Sequence, residues 1–274
     1  MYKTIIIGKN SNLSQSLANQ LGAADILSSR DILHNVKCLS FLKGEAVSII
    51  FNNFQPSTKL NDLSRPENYV INSIGITSKV LNYCKQNEIL VNKIIYTSSS
   101  SVYGNNILCS ENDELRPMNL HASLKISNEK LIEKFCIDND IDYTIARVFN
   151  MYGGKDNFSI VSKILKTYKL NNELTIVNNG NAIRDFIHID DVVDIYKELL
   201  NIKDIKILNI GTGTGTSIKN ILDFFYNHKL DLKTQTIFRD ELKTSTSDNR
   251  LLMNIINKKD FIQVENYLKE ELKI

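Results

Sequence analysis

Four consecutive serines, Ser98, Ser99, Ser100 and Ser101, close the apolar run Lys93-Ile94-Ile95-Tyr96-Thr97 and lead into Val102-Tyr103-Gly104. His121 and Lys125 follow, four residues apart. On a helix this spacing puts both side chains on one face, a turn apart. Hydroxyl, imidazole and ammonium together make a proton-transfer set. An imidazole, with an ordinary pKa of about 6.5, suits acid–base work near neutrality. An ammonium beside it lowers that pKa and favours a neutral base. The serines alone would also fit a polar turn, so the elements that carry these residues must decide.

Short β-branched runs at 3–7, 48–52, 93–97, 142–147 and 206–210 alternate with helical periodicity at 11–21, 66–86 and 121–138. Leu13, Leu17 and Leu21 share one face of the first helix; Val70, Ile74, Val80, Leu81 and Cys84 are expected to face inward on the second. Strands alternating with helices through short loops predict a parallel sheet covered on both faces. Right-handed crossovers then give an α/β, doubly wound sheet of Rossmann type. After about residue 150 the alternation loosens. The expected division is a Rossmann core over 1–154 and a mixed region over 155–274, which adds the last strands and a smaller C-terminal lobe.

The 274 residues, 42% hydrophobic and 23% charged, suffice for one sizeable core, or a core with a small lobe. A net charge of +2 argues against nucleic acid or a membrane surface as partner. No run of eighteen apolar residues is present, so no transmembrane helix is expected. The first strand is expected from residue 3, so no leader is expected ahead of it. Cys38, Cys84, Cys109 and Cys136 are scattered without C-x-x-C spacing. They read as reduced thiols of a cytoplasmic protein, with no metal site.

The serine segment with Val102-Tyr103-Gly104 and the pair His121/Lys125 resemble the extended short-chain dehydrogenase/reductase family of nucleotide-sugar epimerases, dehydratases and reductases. Three later segments strengthen the resemblance: Arg147-Val148-Phe149-Asn150-Met151-Tyr152-Gly153-Gly154, Arg184-Asp185-Phe186-Ile187-His188-Ile189-Asp190-Asp191 and Leu208-Asn209-Ile210-Gly211-Thr212-Gly213. These resemble the family's R-x-x-N-x-Y-G-P, R-D-F/Y-I-H-V-x-D and N-x-G-x-G. The likeness runs from about residue 3 to 255, with one departure: His121 stands where the family carries the tyrosine of Tyr-x-x-x-Lys.

The resemblance implies that Ser99, flanked by Ser100, bonds the reacting oxygen and that Lys125 holds the nicotinamide ribose. It implies substrate contacts from Asn150, Arg184 and Arg239, and places Asn72 near the cofactor. His188 and Asp191 read as structural, with Asp190 or Asp191 capping the following helix. Ser100-Ser101 replaces the acidic pair of some family dehydratases, which points toward an epimerase or keto-reductase. Three readings of His121 stand. It transfers the proton itself; or Tyr103 or Ser99 does so while His121 positions the substrate; or hydride chemistry is lost.

The first turn, Gly8-Lys9-Asn10-Ser11-Asn12-Leu13-Ser14, lies where the family reads G-x-x-G-x-x-G. Serine is small, and its backbone N–H stays available to a phosphate. Gly8, Ser11, Asn12 and Leu13 are therefore expected at the cofactor; the alternative is a plain turn with serine as N-cap. The second strand is expected to end at Ile26-Leu27-Ser28-Ser29-Arg30. Small hydroxyls with Arg30 favour the 2′-phosphate of NADP over NAD, although Arg30 also reads as a solvated loop charge. The expected activity is an NAD(P)-dependent epimerase or keto-reductase of a nucleotide-linked sugar. The expectation from another class is a catalytically silent nucleotide- or nucleotide-sugar-binding protein. A homodimer through the helices at 66–86 and 121–138, a four-helix contact, is expected from the resemblance.

Overall fold

The computed structural model describes residues 2–53, 67–258 and 260–274. Six strands form the main sheet: β1 (Lys3–Ile7), β2 (Ala24–Leu27), β3 (Ala46–Phe51), β4 (Leu90–Ser99), β6 (Asp142–Val148) and β10 (Ile207–Ile210). Their order is β10-β6-β4-β3-β1-β2. β1 runs parallel to β2 and to β3, pairing Ile7 with Leu27 and with Phe51. Ile5, Ile6, Ile7, Ile49, Ile50 and Ile94 are fully buried, as strands covered on both faces require. The expected doubly wound α/β sheet is thus present. The strand order reverses between β1 and β3, so their loops leave the carboxyl edge in opposite directions. Such a point opens a crevice for a ligand.

Helix α1 (Asn12–Leu21) buries Leu13 and Leu17 and stops at Gly22, whose φ is +67°. Helix α2 (Ser29–His34) follows β2. The long helix expected at 66–86 is interrupted. Helix α3 (Glu67–Val70) passes through a π turn, Ile71–Gly75, into α4 (Ile76–Gln86). A π turn adds a residue to one turn and shifts the buried face. Tyr69 and Ser73 are buried, while Val70, expected inside, is 49% exposed. Ile74 is half-buried, and Val80, Leu81 and Cys84 are buried as expected. Helix α5 (Leu120–Asp138) starts at Asn119, whose side chain accepts from Ala122 N. No helix among the described residues is long and apolar enough to cross a membrane.

The chain forms two compact units that interleave along the sequence. The first comprises 1–102, 117–147 and 193–208; the second 103–116, 148–192 and 209–274. The expected division set one boundary after residue 154, whereas each of these units takes segments from both sides of it. Strand pairing is the reason: β5 (Asn106–Cys109), early in the chain, pairs with β13 (Thr244–Ser247) near its end. The second unit holds a sheet ordered β11-β9-β13-β5, with β7 (Asn150–Tyr152) beside β9 (Ile183–His188) and β11 at Gly215–Ser217. It has its own core, which includes Tyr152, Ile164, Phe186, Phe225 and Leu268.

Gly8 follows β1 with φ +117°, and a Cβ there would lie 2.4 Å from the carbonyl oxygen of Asn52. Both the backbone angle and the close approach require glycine. Gly8→Ala is expected to destabilise the protein by about 2–5 kcal/mol in urea unfolding. An unchanged midpoint would contradict this geometry.

Candidate active site

In the first unit, α5 packs on β4 through polar side chains. Glu129 and Arg147, each almost completely buried, form an ion pair with Arg147 Nη2 2.8 Å from Glu129 Oε2 and Arg147 Nε 3.3 Å from Oε1. Such a two-point contact fixes both planes. Ser98 donates its hydroxyl to the same carboxylate. Lys125, also buried, donates from Nζ to the carbonyl of Thr97 at 2.6 Å and lies 5.0 Å from the centre of the Tyr96 ring. Thr97 in turn shares a 2.8 Å hydrogen bond with Tyr196. Burial pushes the Lys125 ammonium down to about 7, against the opposing pull of Glu129. His121, half-buried one turn earlier, is pushed down to about 4, first by burial and then by the Lys125 charge. At neutral pH its imidazole is uncharged.

Lys125 thus reaches the end of β4, two residues before Ser99. Ser99 is half-buried; its Oγ accepts from Ser101 N at 3.2 Å and shares a 3.0 Å bond with Ser101 Oγ. Ser100 is buried at the start of a short 3₁₀ turn. Tyr103, considered as a substitute proton donor, does not fit that role. Its hydroxyl is buried in the second unit and donates to Asn209 Oδ1 at 2.7 Å.

The first turn is built differently from a glycine-rich one. Gly8 N and Lys9 N both donate to Leu27 O, and Ser11 N donates to Gly8 O. Ser11 occupies the N-cap position of α1, yet its side chain makes no capping bond. Asn52 Nδ2 donates to Ser11 Oγ at 2.8 Å and to Ser14 Oγ at 2.9 Å. The side-chain cap that serine would ordinarily supply is therefore replaced by a bond across the β1/β3 switch. Asn12 and Leu13 form the start of α1, and Leu13 is buried. Asn72 is half-buried within the π turn, beside Ser73, which accepts at its hydroxyl from Asn128 Nδ2 at 2.8 Å. Ser28, at the end of β2, caps α2 by accepting from Asp31 N, and Arg30 is exposed in that helix. This geometry lends no support to an NADP preference.

The second unit carries Asn150, Arg184 and Arg239. Asn150 Nδ2 donates to Asp185 O at 3.2 Å. The Arg184 guanidinium lies against main-chain carbonyls, at 2.8 Å from Ile183 O, 3.3 Å from Lys243 O and 2.5 Å from Leu242 O. Arg239 is exposed, and its carbonyl accepts from Asn178 Nδ2 at 2.7 Å. Asp185, fully buried, accepts from Thr212 N, Thr212 Oγ1, Gly213 N, Ser247 N and Ser247 Oγ. It is the hub that joins the Arg184-Asp185 segment to the Gly211-Thr212-Gly213 turn. Asp191 lies in the first turn of α7 (Ile189–Leu199), where it holds Lys258 and Ile262 N.

The sequence profile of the NAD dependent epimerase/dehydratase family matches residues 2–211, and the chain belongs to that family. It is 29% identical to the ADP-L-glycero-D-manno-heptose-6-epimerase of Brachyspira hyodysenteriae over 226 residues, 78% of this chain and 68% of that protein. It is 26% identical to the GDP-6-deoxy-D-talose 4-dehydrogenase of Aggregatibacter actinomycetemcomitans, covering 75% of this chain and 72% of that one. In fold it is similar to MoeE5 in complex with UDP-glucuronic acid and NAD, with a TM-score of 0.87, 20% identity and 99% of both chains covered.

Three residues of these networks were not singled out from sequence. Glu129 stands four residues after Lys125, and that helical spacing was the available signal. Asn52 ends an apolar strand with a polar pair, Asn52-Asn53, a mark of a carboxyl edge. Nothing in the order of residues links Asp185 to Ser247.

The low value at His121 has a consequence for stability. Its folded pKa, about 4, lies below the unfolded value of about 6.5. The unfolded chain therefore takes up the proton first, and stability falls as pH drops from about 6.5 to about 4. Below that the loss is complete. In His121→Gln this part of the acid limb is expected to disappear from a pH series of melting temperatures. A difference curve flat across that window would contradict the assignment.

Proposed function

We propose that this chain is a nicotinamide-dependent enzyme acting on a nucleotide-linked sugar, an epimerase or keto-reductase, with His121 performing the proton transfer. The observation that carries the reading is the α5 pair: Lys125, buried and pushed down to about 7, one turn from a neutral His121 and bonded to the strand that ends in Ser99. The bound nicotinamide would supply hydride acceptance and return at a sugar carbon. The residues fit such a group. Gly8 keeps the first turn close to β3, where any Cβ would clash, and the uncapped start of α1 suits an anion. Gly8, Ser11, Asn12 and Leu13 would hold the pyrophosphate end, Asn72 would lie near it, and Lys125 would hold the nicotinamide ribose.

Ser99 would bond the sugar oxygen, with Ser100 beside it. A neutral His121 would take the hydroxyl proton as the carbon loses its hydride, and return it when the keto group is reduced. A low pKa makes His121 a weak base, so Lys125 must also favour the developing alkoxide electrostatically. NAD is the cofactor in the proposal: similar structures hold it, and nothing at Ser28 or Arg30 favours NADP. Asn150, Arg184 and Arg239 are proposed for the substrate; Arg184 would exchange its carbonyl partners for a diphosphate, which its planar donors suit. The proposal includes a homodimer in which α4 and α5 meet their copies.

The test is turnover of UDP-, GDP- and dTDP-sugars with NAD present. His121→Ala is expected to lower turnover by a factor of 10² or more while leaving NAD affinity within a few-fold. His121→Tyr is expected to recover activity relative to His121→Ala. Unchanged turnover in His121→Ala would remove His121 from the chemistry. NAD binding without turnover of any sugar nucleotide would make the chain a silent binding protein.

A further inference from the structure

We propose that Asn52 is a positioning residue that takes over the work of two absent glycines by orienting Ser11 so that its hydroxyl hydrogen is donated to a phosphate of the bound dinucleotide. This rests on the nicotinamide reading above and adds a residue and a bond direction to it. The two Nδ2 hydrogens of Asn52 go one to Ser11 Oγ and one to Ser14 Oγ. Each serine oxygen is thereby an acceptor, and its own hydrogen is left to be donated elsewhere. Ser14 is fully buried, whereas Ser11 is half-buried. Ser11 is therefore the one of the two whose hydrogen can reach a ligand.

The backbone of the turn points the same way. The N–H groups of Gly8, Lys9 and Ser11 are satisfied within the protein, and the first intrahelical bond of α1 is Gln15 N to Ser11 O at 3.1 Å. Ser11 Oγ, the usual acceptor for an N-terminal N–H, is instead held by Asn52. Ser11 therefore does not cap the first turn of α1, the part of a helix that suits an anion. Asn52 carries a second sign of a ligand. It is 1% exposed, and its Oδ1 is buried with no hydrogen-bond partner among the described residues. An unmet buried acceptor is costly, and a ligand that brings a donor, such as a ribose hydroxyl, removes that cost.

In a glycine-rich turn, small residues let the backbone approach the pyrophosphate. Here the two positions carry hydroxyls, and Asn52 locks them across the β1/β3 switch. The recognition is then by an oriented O–H as well as by the helix start.

The experiment compares the affinities of wild type, Ser11→Ala and Asn52→Asp for NAD⁺, ADP-ribose and adenosine, with melting temperatures alongside. Ser11→Ala keeps the Asn52–Ser14 bond and removes the donor together with the Asn52–Ser11 bond. It is expected to weaken NAD⁺ and ADP-ribose by tenfold or more, to leave adenosine within twofold, and to lower the melting temperature by no more than a few degrees. Asn52→Asp has nearly the same shape but only accepts, so it turns both serine hydrogens inward. It is expected to weaken the two diphosphates at least as much. Equal ADP-ribose affinity in wild type and Ser11→Ala would overturn the inference alone. So would a parallel loss of adenosine and ADP-ribose, which would mean a collapsed turn. Failure of the wild type to bind NAD⁺ or ADP-ribose would overturn both the inference and the nicotinamide reading.

Discussion

One buried carboxylate holds the first unit's polar interior together. Glu129 receives Arg147 from β6, Ser98 from β4 and the field of Lys125 from its own helix. Two buried cations around one anion are tolerable only because each also finds a fixed partner. Removing one member of such a set leaves an uncompensated charge and costs about 3–5 kcal/mol. The helix is accordingly not seated by an apolar stripe alone. Lys125, Asn128 and Glu129 all point into the protein, and their bonds fix its rotation. That rotation places Lys125 against the serine end of β4, with His121 one turn earlier on the helix. The geometry of the candidate site is thus a by-product of how the helix satisfies its buried charges.

The second constraint is the reversal of strand order between β1 and β3. It brings the Gly8 turn and the Asn52 strand end together, close enough that only glycine fits at residue 8. A turn with one glycine in place of three can still be held there, because side-chain bonds substitute for close backbone packing. Serine and asparagine are therefore not neutral replacements in this chain. They form a pair of hydrogen bonds that a comparison of glycine patterns cannot see.

The fold was legible because its strands are continuous apolar runs and its helices carry their apolar residues at helical spacing. The runs at 3–7, 93–97 and 142–147 lie within β1, β4 and β6. Periodicity failed at Val70, because the π turn changed the phase of the helix after α3. It also could not show that 103–116 belongs with 209–274, since β5 and β13 pair across more than half the chain. At the candidate site, type and spacing nominate Ser99, His121 and Lys125, and the structure bonds Lys125 to the strand that ends in Ser99. Tyr103 stood among the alternatives, and its place after the serines says nothing of a hydroxyl buried against Asn209. The strand end at Ser28 and Arg30 misled for the same reason, because Ser28 serves as a helix cap. Local sequence gives residue type and phase, whereas the partner of a polar group is decided by contacts distant in sequence.

The most direct test of the account is absorbance at 340 nm after mixing the protein and NAD⁺ with each nucleotide sugar of a panel. A hydride taken from a sugar carbon by the nicotinamide appears there as NADH, only transiently when it is later returned, whereas a keto group reduced with NADH supplied removes that absorbance. With one sugar nucleotide a rise from NAD⁺, or a fall when NADH is supplied, is expected in the wild type and its loss in His121→Ala. A protein that binds NAD⁺ but shows no absorbance change with any sugar, and no sugar product, would contradict the account.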